Sequence, residues 1–143
     1  MNIFFPKEQD NETRFSLTGE TAQKFLKKNI NLSIEENINL QDGLLEKLIE
    51  ENSINIVSRE EGLKSANIIC NLNKLSLDDI AKINSDTLAI SFLDPFNEKQ
   101  LIEEFRKKSI SSISMELIPR TTRAQKMDAL SSQANLAGYS AVI

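Results

Sequence analysis

Six consecutive residues, Leu88-Ala89-Ile90-Ser91-Phe92-Leu93, decide the fold class of this chain. The run is nearly continuous in apolar character, which is typical of a central strand in a parallel sheet covered on both faces. Further short apolar runs lie at Ile3–Phe5, Ile30–Ile34, Ile54–Val57, Asn67–Cys70 and Ile110–Met115. We therefore predict a three-layer α/β fold of the flavodoxin or Rossmann type, with an open, mostly parallel sheet of about six strands.

The segments between these runs have helical periodicity. Thr18 is expected to cap a helix that buries Ala22 and Phe25, and Ser76 with Asp79 resembles a capping box. A further helix is predicted from an apolar stripe at Leu40, Leu44, Leu45, Leu48 and Ile49. The chain has 143 residues, of which 40% are apolar. This length fits one domain, which we predict to span residues 1–143.

Composition excludes several classes of function. The net charge of −4 argues against nucleic-acid binding, which usually needs a basic surface. The chain has no histidine, so it cannot hold a Ser-His-Asp triad or a histidine-rich metal site, and we predict no metal site. Its one cysteine, Cys70, ends an apolar run and is predicted to be a buried structural thiol.

The loop after the first predicted strand carries several charged residues. It reads Pro6-Lys7-Glu8 and then Asn11-Glu12-Thr13-Arg14. Ligands of open α/β sheets bind at the carboxyl ends of the strands, so Lys7 and Arg14 are candidates for such a crevice. The alternative is an ordinary exposed loop, and position alone favours this alternative.

The segment from Pro119 to Tyr139 combines a turn with a predicted helix. Pro119 disfavours helix at Ile118, and Thr122 with Gln125 has the spacing of a capping box, so we expect the helix to begin near Arg123. Its small apolar stripe predicts close packing against a neighbouring element. That stripe consists of Met127, Leu130, Ala134, Ala137 and Ala141.

The opposite side of the same predicted helix is polar. Its stripe consists of Gln125, Asp128, Ser132 and Asn135, with Ser131 at the border. Two interpretations compete: a solvated face, or a hydrogen-bonding wall for a polar ligand, beside which Arg120 would supply a fixed positive charge. The pattern alone favours the solvated face.

The quoted segments at both ends resemble the alpha subunit of proton-translocating NAD(P) transhydrogenase. At the C-terminal end the resemblance rests on Pro119-Arg120, Arg123-Ala124-Gln125, Met127-Asp128-Ala129-Leu130-Ser131-Ser132-Gln133 and Leu136-Ala137-Gly138-Tyr139. The charged loop at the start of the chain is similar to the same family and to the related alanine dehydrogenases. Between the two ends, the resemblance rests on the order of strands and helices.

The resemblance implies a function in hydride transfer from NADH to NADP⁺, coupled to proton translocation. It implies that Arg120 reaches the nicotinamide-ribose or phosphate region and that Gln125 contacts the dihydronicotinamide and bridges to a partner domain. It also implies that Asp128 and Ser131 hydrogen-bond the carboxamide. These four residues are our candidate catalytic and cofactor-binding set. A chain without histidine is compatible with this chemistry, because the hydride moves directly between two rings.

The resemblance also implies partners. The family continues into a Rossmann domain with a G-x-G-x-x-G turn, and the four glycines here, Gly19, Gly43, Gly62 and Gly138, do not form that pattern. We expect residues 120–143 to form a helix that leads into that domain, and NAD(H) to bind only with it. Further implied partners are a second copy, an NADP(H)-binding beta subunit and membrane subunits, which would place the chain in the cytoplasm at the inner membrane.

Two other functions stay open at this point. Alanine dehydrogenases hold the keto acid with a lysine near the fourth strand and a histidine after the fifth. The corresponding regions here, Asn71-Leu72-Asn73 and Phe92-Leu93-Asp94-Pro95, contain neither residue type, which disfavours that activity. A non-catalytic α/β interaction or dimerisation module is the other alternative, although a receiver domain would need paired acids where Pro6-Lys7-Glu8 stands.

Overall fold

The computed structural model describes residues 1–9 and 12–142, so Asn11 of the N-terminal motif lies outside the described residues. The strands are β1 (Asn2–Phe5), β2 (Asn31–Glu35), β3 (Asn55–Val57), β4 (Ile68–Cys70), β5 (Leu88–Ser91) and β6 (Ser111–Ser114). The α-helices are α1 (Gly19–Leu26), α2 (Gly43–Glu50), α3 (Arg59–Ser65), α4 (Leu77–Lys82), α5 (Lys99–Lys107) and α6 (Ala129–Val142). Short 3₁₀ helices lie at Met115–Leu117 and Gln125–Met127.

The strands form one six-stranded sheet in the order β3-β2-β1-β4-β5-β6, and every pairing is parallel. Each predicted apolar run overlaps one of these strands, which confirms the predicted α/β fold. The run that decided the fold is slightly longer than its strand, since β5 ends at Ser91. The strand order reverses between β1 and β4, and crevices for ligands form beside such a switch point.

The helices lie on both faces of the sheet, and each face has its own core. On one face α1 and α2 cover β1 and β2, with Phe5, Leu32 and Leu45 among the buried residues. On the other face α3, α4 and α5 pack over a core that includes Phe4 and Ile69. Because successive residues of a strand point to opposite faces, Ile3 and Phe5 belong to the first core and Phe4 to the second.

Helix α3 approaches β1 unusually closely. A Cβ atom at Gly62 would lie 2.3 Å from ring atoms of Phe4, a side chain with no exposed surface. Real Cβ atoms do not come so close to other heavy atoms, so only glycine fits here. Gly62 therefore sets the distance between the central strand and the helix that follows β3.

The predicted caps of α1 and α4 are confirmed. The hydroxyl of Thr18 accepts a hydrogen bond from the backbone N–H of Thr21 at 3.3 Å. Ser76 and Asp79 form the complete capping box, with bonds of 3.1 and 3.3 Å. Leu40, in contrast, precedes α2, whose N-cap is Asp42.

Several helices end at residues with positive φ that are not glycine. Asn29 (φ 56°) follows α1, Asn52 (φ 55°) follows α2 and Ser109 (φ 56°) follows α5. A left-handed residue just after a helix turns the chain away and lets the last carbonyls find partners. Asparagine tolerates this conformation better than most residues, because its short polar side chain bonds locally.

The C-terminal segment differs from the prediction in two ways. The helix begins at Ala129 rather than near Arg123, because Asp128, not Thr122, caps it. The predicted close packing of its apolar stripe is wrong within the described residues, since Leu130 is 58% exposed. The adjoining sheet face is also incompletely covered, and Ile113 on β6 is 40% exposed.

Candidate functional site

The loop after β1 is joined to the loop after β4 by one carboxylate. Glu8 accepts hydrogen bonds from the backbone N–H groups of Leu72 at 2.6 Å and Asn73 at 3.0 Å. Hydrogen bonds to a charged acceptor are the stronger kind, and two of them fix both position and orientation. Glu8 therefore holds the start of the β4 loop in place across the switch point.

A second carboxylate does the same for the loop after β5. Glu116 follows β6 and accepts hydrogen bonds from the backbone N–H groups of Leu93 and Asp94. Burial alone would raise the pKa of Glu116, but these and its other hydrogen bonds outweigh burial and lower the pKa. The backbone at the carboxyl ends of β4 and β5 is thus anchored by side chains of neighbouring loops.

The ends of β1, β2 and β3 are filled by an arginine cluster, which we call the Arg59 cluster. Arg59 forms a bidentate ion pair with Asp79, with both hydrogen bonds at 2.9 Å. It also donates a hydrogen bond to Glu35 at 2.7 Å. It also donates to the backbone carbonyl of Lys7 at 3.1 Å, while the N–H of Lys7 donates to Glu35 at 2.8 Å. The hydrogen bonds to Asp79 raise the pKa of Arg59 further. The cluster fixes the loop after β1.

A cavity of about 340 Å³ lies beyond the carboxyl ends of β4, β5 and β6, and we call it the Asn71 cavity. Its apolar lining comes mainly from the carboxyl ends of β4, β5 and β6, and its polar lining comes from the first loop, from Asn71 after β4 and from the segment around the start of α6. The lining residues are Arg14, Ser16, Cys70, Asn71, Leu72, Ile90, Phe92, Met115, Lys126, Met127, Asp128, Ala129, Ser132 and Gln133. Such a mixed lining suits a small molecule with one apolar face and several polar groups.

Asn71 is the most unusual residue of this cavity. Only 7% of it is exposed, and its Nδ2 donates a hydrogen bond to the carbonyl of Asn73. Its Oδ1 is buried without a hydrogen-bond partner among the described residues. Buried polar atoms in native proteins nearly always have partners, so this oxygen needs an explanation.

The four predicted site residues line one further cavity of about 240 Å³, which we call the Arg120 cavity. Its lining consists of Arg120, Thr121, Thr122, Gln125, Asp128 and Ser131. The structure therefore brings Arg120, Gln125, Asp128 and Ser131 together, although they lie on a turn, a 3₁₀ helix and the start of α6. Asp128 also lines the Asn71 cavity, so the two cavities adjoin.

Asp128 is the centre of this arrangement. Its Oδ1 accepts hydrogen bonds from the N–H groups of Leu130 at 3.0 Å and Ser131 at 3.2 Å, which caps α6. Its Oδ2 accepts one from the hydroxyl of Ser131 at 2.5 Å and lies 4.0 Å from Nε of Arg120. The bonds from Ser131 and the nearby positive charge of Arg120 lower the pKa of Asp128. The carboxylate is therefore charged at neutral pH.

Comparison with known proteins assigns the family. A model of the family described as "Alanine dehydrogenase/PNT, N-terminal domain" matches residues 4–137. The chain belongs to this family. Across its whole length it is 35% identical to an NAD(P) transhydrogenase alpha-subunit protein of Rickettsia prowazekii and 31% identical to "NAD(P) transhydrogenase subunit alpha" of Haemophilus influenzae. It spans 39% and 28% of the length of these two relatives.

Solved structures agree with this assignment. The transhydrogenase of Sinorhizobium meliloti superposes with a TM-score of 0.86 at 31% identity, over 99% of this chain and 43% of that chain. An L-alanine dehydrogenase superposes with a TM-score of 0.75 at 18% identity, over 86% of this chain and 34% of that one, which shows a shared fold. Within the described residues of this family member, no helix combines the length and apolar character needed to cross a membrane.

The two basic residues of the N-terminal motif have different positions in this family member. Lys7 is exposed, and its backbone rather than its side chain joins the Arg59 cluster. Arg14 lines the Asn71 cavity and pairs with Glu12 at 2.6 Å, a hydrogen bond that lowers the pKa of Glu12 to about 2. Of the two, Arg14 is therefore the one placed at a crevice.

Cys70 also lines the Asn71 cavity but is only half-buried. Burial raises the pKa of its thiol to about 11, and the nearby charge of Glu8 contributes to the same shift. The thiol is therefore protonated at neutral pH, as expected for a structural cysteine.

Sequence reasoning missed Glu8, Arg59 and Asn71 as parts of this edge of the sheet. The partners of Glu8 and Arg59 are 20 to 65 residues away along the chain, so no local pattern reveals them. Asn71 had one usable signal, because a polar residue directly follows the predicted strand Asn67–Cys70. In sheets of this type that position faces the ligand edge.

Proposed function

We propose that this chain is the N-terminal part of an NAD(P) transhydrogenase alpha subunit and forms one wall of the site where hydride passes from NADH to NADP⁺. The observation that carries the proposal is the Arg120 cavity, which gathers Arg120, Gln125, Asp128 and Ser131 around one space of about 240 Å³. The names and whole-chain similarity of the Rickettsia and Haemophilus relatives support the same function.

The chemistry of these residues fits a nicotinamide nucleotide. A dihydronicotinamide ring supplies the hydride, and the protein needs to hold two rings at short distance while water is kept out. Arg120 offers a cation for ribose hydroxyl or phosphate oxygens, and its side chain is 63% exposed. Gln125 offers both a donor and an acceptor from its exposed amide. Asp128 and Ser131 place polar atoms where a carboxamide can approach.

The wider assembly follows from the same proposal. NAD(H) would bind between this chain and a Rossmann domain of the kind its family carries, and NADP(H) would bind to a beta subunit. Membrane subunits would carry the protons and would hold this chain, as a homodimer, at the cytoplasmic side of the inner membrane. In this scheme the chain orients one ring and does not itself move protons.

The test is hydride transfer by the chain combined with the remaining length of a transhydrogenase alpha subunit and with its partner subunits. We expect Arg120→Ala and Gln125→Asn to lower the rate at saturating substrate about tenfold or more, because small displacements of a reacting ring cost large factors in rate. The matched controls are Arg106→Ala and Gln100→Asn, which make the same changes at exposed positions on α5. Rates that stay at the wild-type level in both site variants would contradict the proposal.

A second measurement uses the chain alone. If the ring-facing wall lies here and the rest of the cofactor is held elsewhere, NADH at micromolar concentration should not bind measurably in a calorimetric titration. Clear saturation in this range would show a complete nucleotide site within these residues and would contradict the proposed division.

A further inference from the structure

The unpaired oxygen of Asn71 is held in a defined position. The backbone N–H of Asn71 donates to the carbonyl of Ile90 at 3.1 Å, which ties it to β5. The next two N–H groups along the chain are fixed by Glu8. Because Nδ2 donates to the carbonyl of Asn73, the amide cannot be turned over without facing two oxygens together. Oδ1 is therefore the free end of the side chain.

Such an oxygen favours a ligand that supplies a donor. An acceptor that is buried without a hydrogen bond destabilises the protein, and pairing it recovers that free energy. The Asn71 cavity beside it, at about 340 Å³, is large enough for a six-membered ring with a polar substituent. Ile90, Phe92 and Met115 supply apolar surface for the faces of such a ring.

The resemblance points to Asp128 and Ser131 as the carboxamide partners, but their atoms are already largely engaged. Oδ1 of Asp128 accepts two backbone N–H groups, and Oδ2 accepts the Ser131 hydroxyl and faces Arg120. A carboxyl oxygen has two lone pairs, so Oδ1 has none left for a ligand. Among the described residues, nothing bonds to either lone pair of the Asn71 oxygen, and Asp128 and Asn71 line the same cavity.

We propose that Asn71 is a further cofactor-binding residue, whose Oδ1 accepts a hydrogen bond from the amino group of the nicotinamide carboxamide. This inference rests on the proposed function, since it assumes that the nicotinamide ring enters this end of the sheet. It assigns to the β4 loop, rather than only to the Arg120–Ser131 segment, the recognition of the carboxamide. Glu8 is then the residue that keeps this acceptor in position.

The proposal predicts discrimination between two dinucleotides. In the 3-acetylpyridine analogue of NAD⁺ a methyl group replaces the carboxamide amino group, so the donor is lost while the ring and the carbonyl remain. We expect the complex of this chain with the remaining length of the alpha subunit to bind NAD⁺ about tenfold more tightly than the analogue, since the analogue leaves Oδ1 unpaired. Dissociation constants of both are measured by calorimetry.

The decisive variant is Asn71→Leu, which keeps the shape and removes the acceptor. The ratio of the two dissociation constants should fall to about one. The matched control is Asn73→Leu, the same change two residues along, at a side chain that lines a different cavity with Gln9 and Lys74. The control should keep the wild-type ratio. A loss of overall stability would weaken the binding of both dinucleotides equally and leave the ratio of their dissociation constants unchanged.

The outcomes separate this inference from the proposed function. If the wild-type complex binds both dinucleotides equally, or if Asn71→Leu keeps the preference for NAD⁺, the role of Asn71 is refuted while the Arg120 and Gln125 variants still test the function. If the complex binds neither dinucleotide, the proposed function and this inference both fail. If Asn71→Leu does not fold, the same ratio of dissociation constants is measured for Asn71→Ala and compared with the wild-type ratio. A ratio for Asn71→Ala equal to that of the wild type refutes the role of Asn71.

Discussion

The two halves of the sheet's carboxyl edge are built in opposite ways. At β1, β2 and β3, Arg59 fills the space and bonds to Asp79, Glu35 and the carbonyl of Lys7. At β4, β5 and β6, the corresponding space is the Asn71 cavity, and Oδ1 of Asn71 has no hydrogen-bond partner in the part of the chain that the structure describes. The same edge therefore has a closed half, which is filled by the side chain of Arg59 and its partners, and an open half, which contains the Asn71 cavity.

The open half is held in shape by its anchored loops although its space is not filled by side chains. A cleft formed by loops keeps a fixed shape only if the loops are anchored. Here Glu8 lies in the loop after β1, in the closed half, and its carboxylate accepts hydrogen bonds from the backbone N–H groups of Leu72 and Asn73 in the open half. In the closed half the charges pair mainly with each other, and in the open half the carboxylates of Glu8 and Glu116 hold backbone N–H groups.

The largest expected effect comes from removing the arginine side chain that fills the closed half. Arg59→Ala would leave the carboxylate of Asp79, which is 5% exposed, without its main partner. We expect the free energy of unfolding, measured with urea, to fall by about 3 kcal/mol, because breaking a buried ion pair leaves an uncompensated charge. The control is Lys64→Ala, which breaks an exposed pair with Glu60 and should leave the unfolding free energy nearly unchanged. Equal effects would show that the closed half is not a stabilising cluster.

A somewhat smaller effect is expected from the packing beneath the Arg59 cluster. Gly62→Ala would force a methyl group into the ring of Phe4, so α3 must move away from β1, at a cost of about 2 kcal/mol in unfolding free energy. Gly43→Ala is the matched control, because a Cβ there meets nothing within 4 Å. That variant should be neutral or slightly more stable, since alanine favours helix. A stable Gly62→Ala protein would contradict the close approach.

Acid should lower the contribution of the Arg59 cluster to the free energy of unfolding. Burial would raise the pKa of Asp79, but its bonds with Arg59 and Ser76 outweigh burial and lower it. A lowered folded-state pKa stabilises the protein above the unfolded carboxyl pKa, near 4, and this stability is lost as the pH falls through the folded value. Between pH 7 and pH 3 we therefore expect Asp79→Asn to lose about 1 kcal/mol less than the wild type.

The control for the acid experiment is Asp78→Asn, which removes an exposed carboxylate from the same helix. Its unfolding free energy should follow the wild-type dependence on pH. If Asp79→Asn followed that dependence too, the ion pair with Arg59 would not be the origin of the acid sensitivity.

The smallest effect is expected in the open half. Asp128→Ala removes the cap of α6, so the amide hydrogens of Leu130 and Ser131 should exchange about fivefold faster by NMR. The melting temperature should stay unchanged, because the side chains of 130–141 are exposed and carry little of the core. Ser140→Ala, on the same helix, is the control. A large drop in melting temperature would mean that the open half also supports the fold.

The fold was predictable from the sequence because its signals are local. Each strand overlaps a short run that stands out by its apolar residues, although β6 itself has only Ile113 among serines, and the caps at Thr18 and Ser76 lie within three residues of their partners. The start of α6 was predicted wrongly for a local reason as well. Thr122 and Gln125 have the right spacing, but the Asp128 carboxylate accepts two N–H groups at once and caps the helix instead.

The site was predictable only in part. Arg120, Gln125, Asp128 and Ser131 lie within twelve residues, and their resemblance to a known segment selected them together. Arg59 and Glu8 act on residues that are far away in sequence, and Asn71 stands out because its Oδ1 has no hydrogen-bond partner among the described residues. Properties of this kind arise from folding and cannot be read from spacing.

The asparagines that end α1 and α2 have a consequence for engineering. At Asn29 and Asn52 the backbone is left-handed, a conformation that glycine adopts with less strain. Glycine, however, has more freedom to lose when the unfolded chain becomes ordered, so the two effects oppose each other. Exchanging these residues for glycine would therefore change the heat resistance of the protein little, and a more durable version should be sought at other positions.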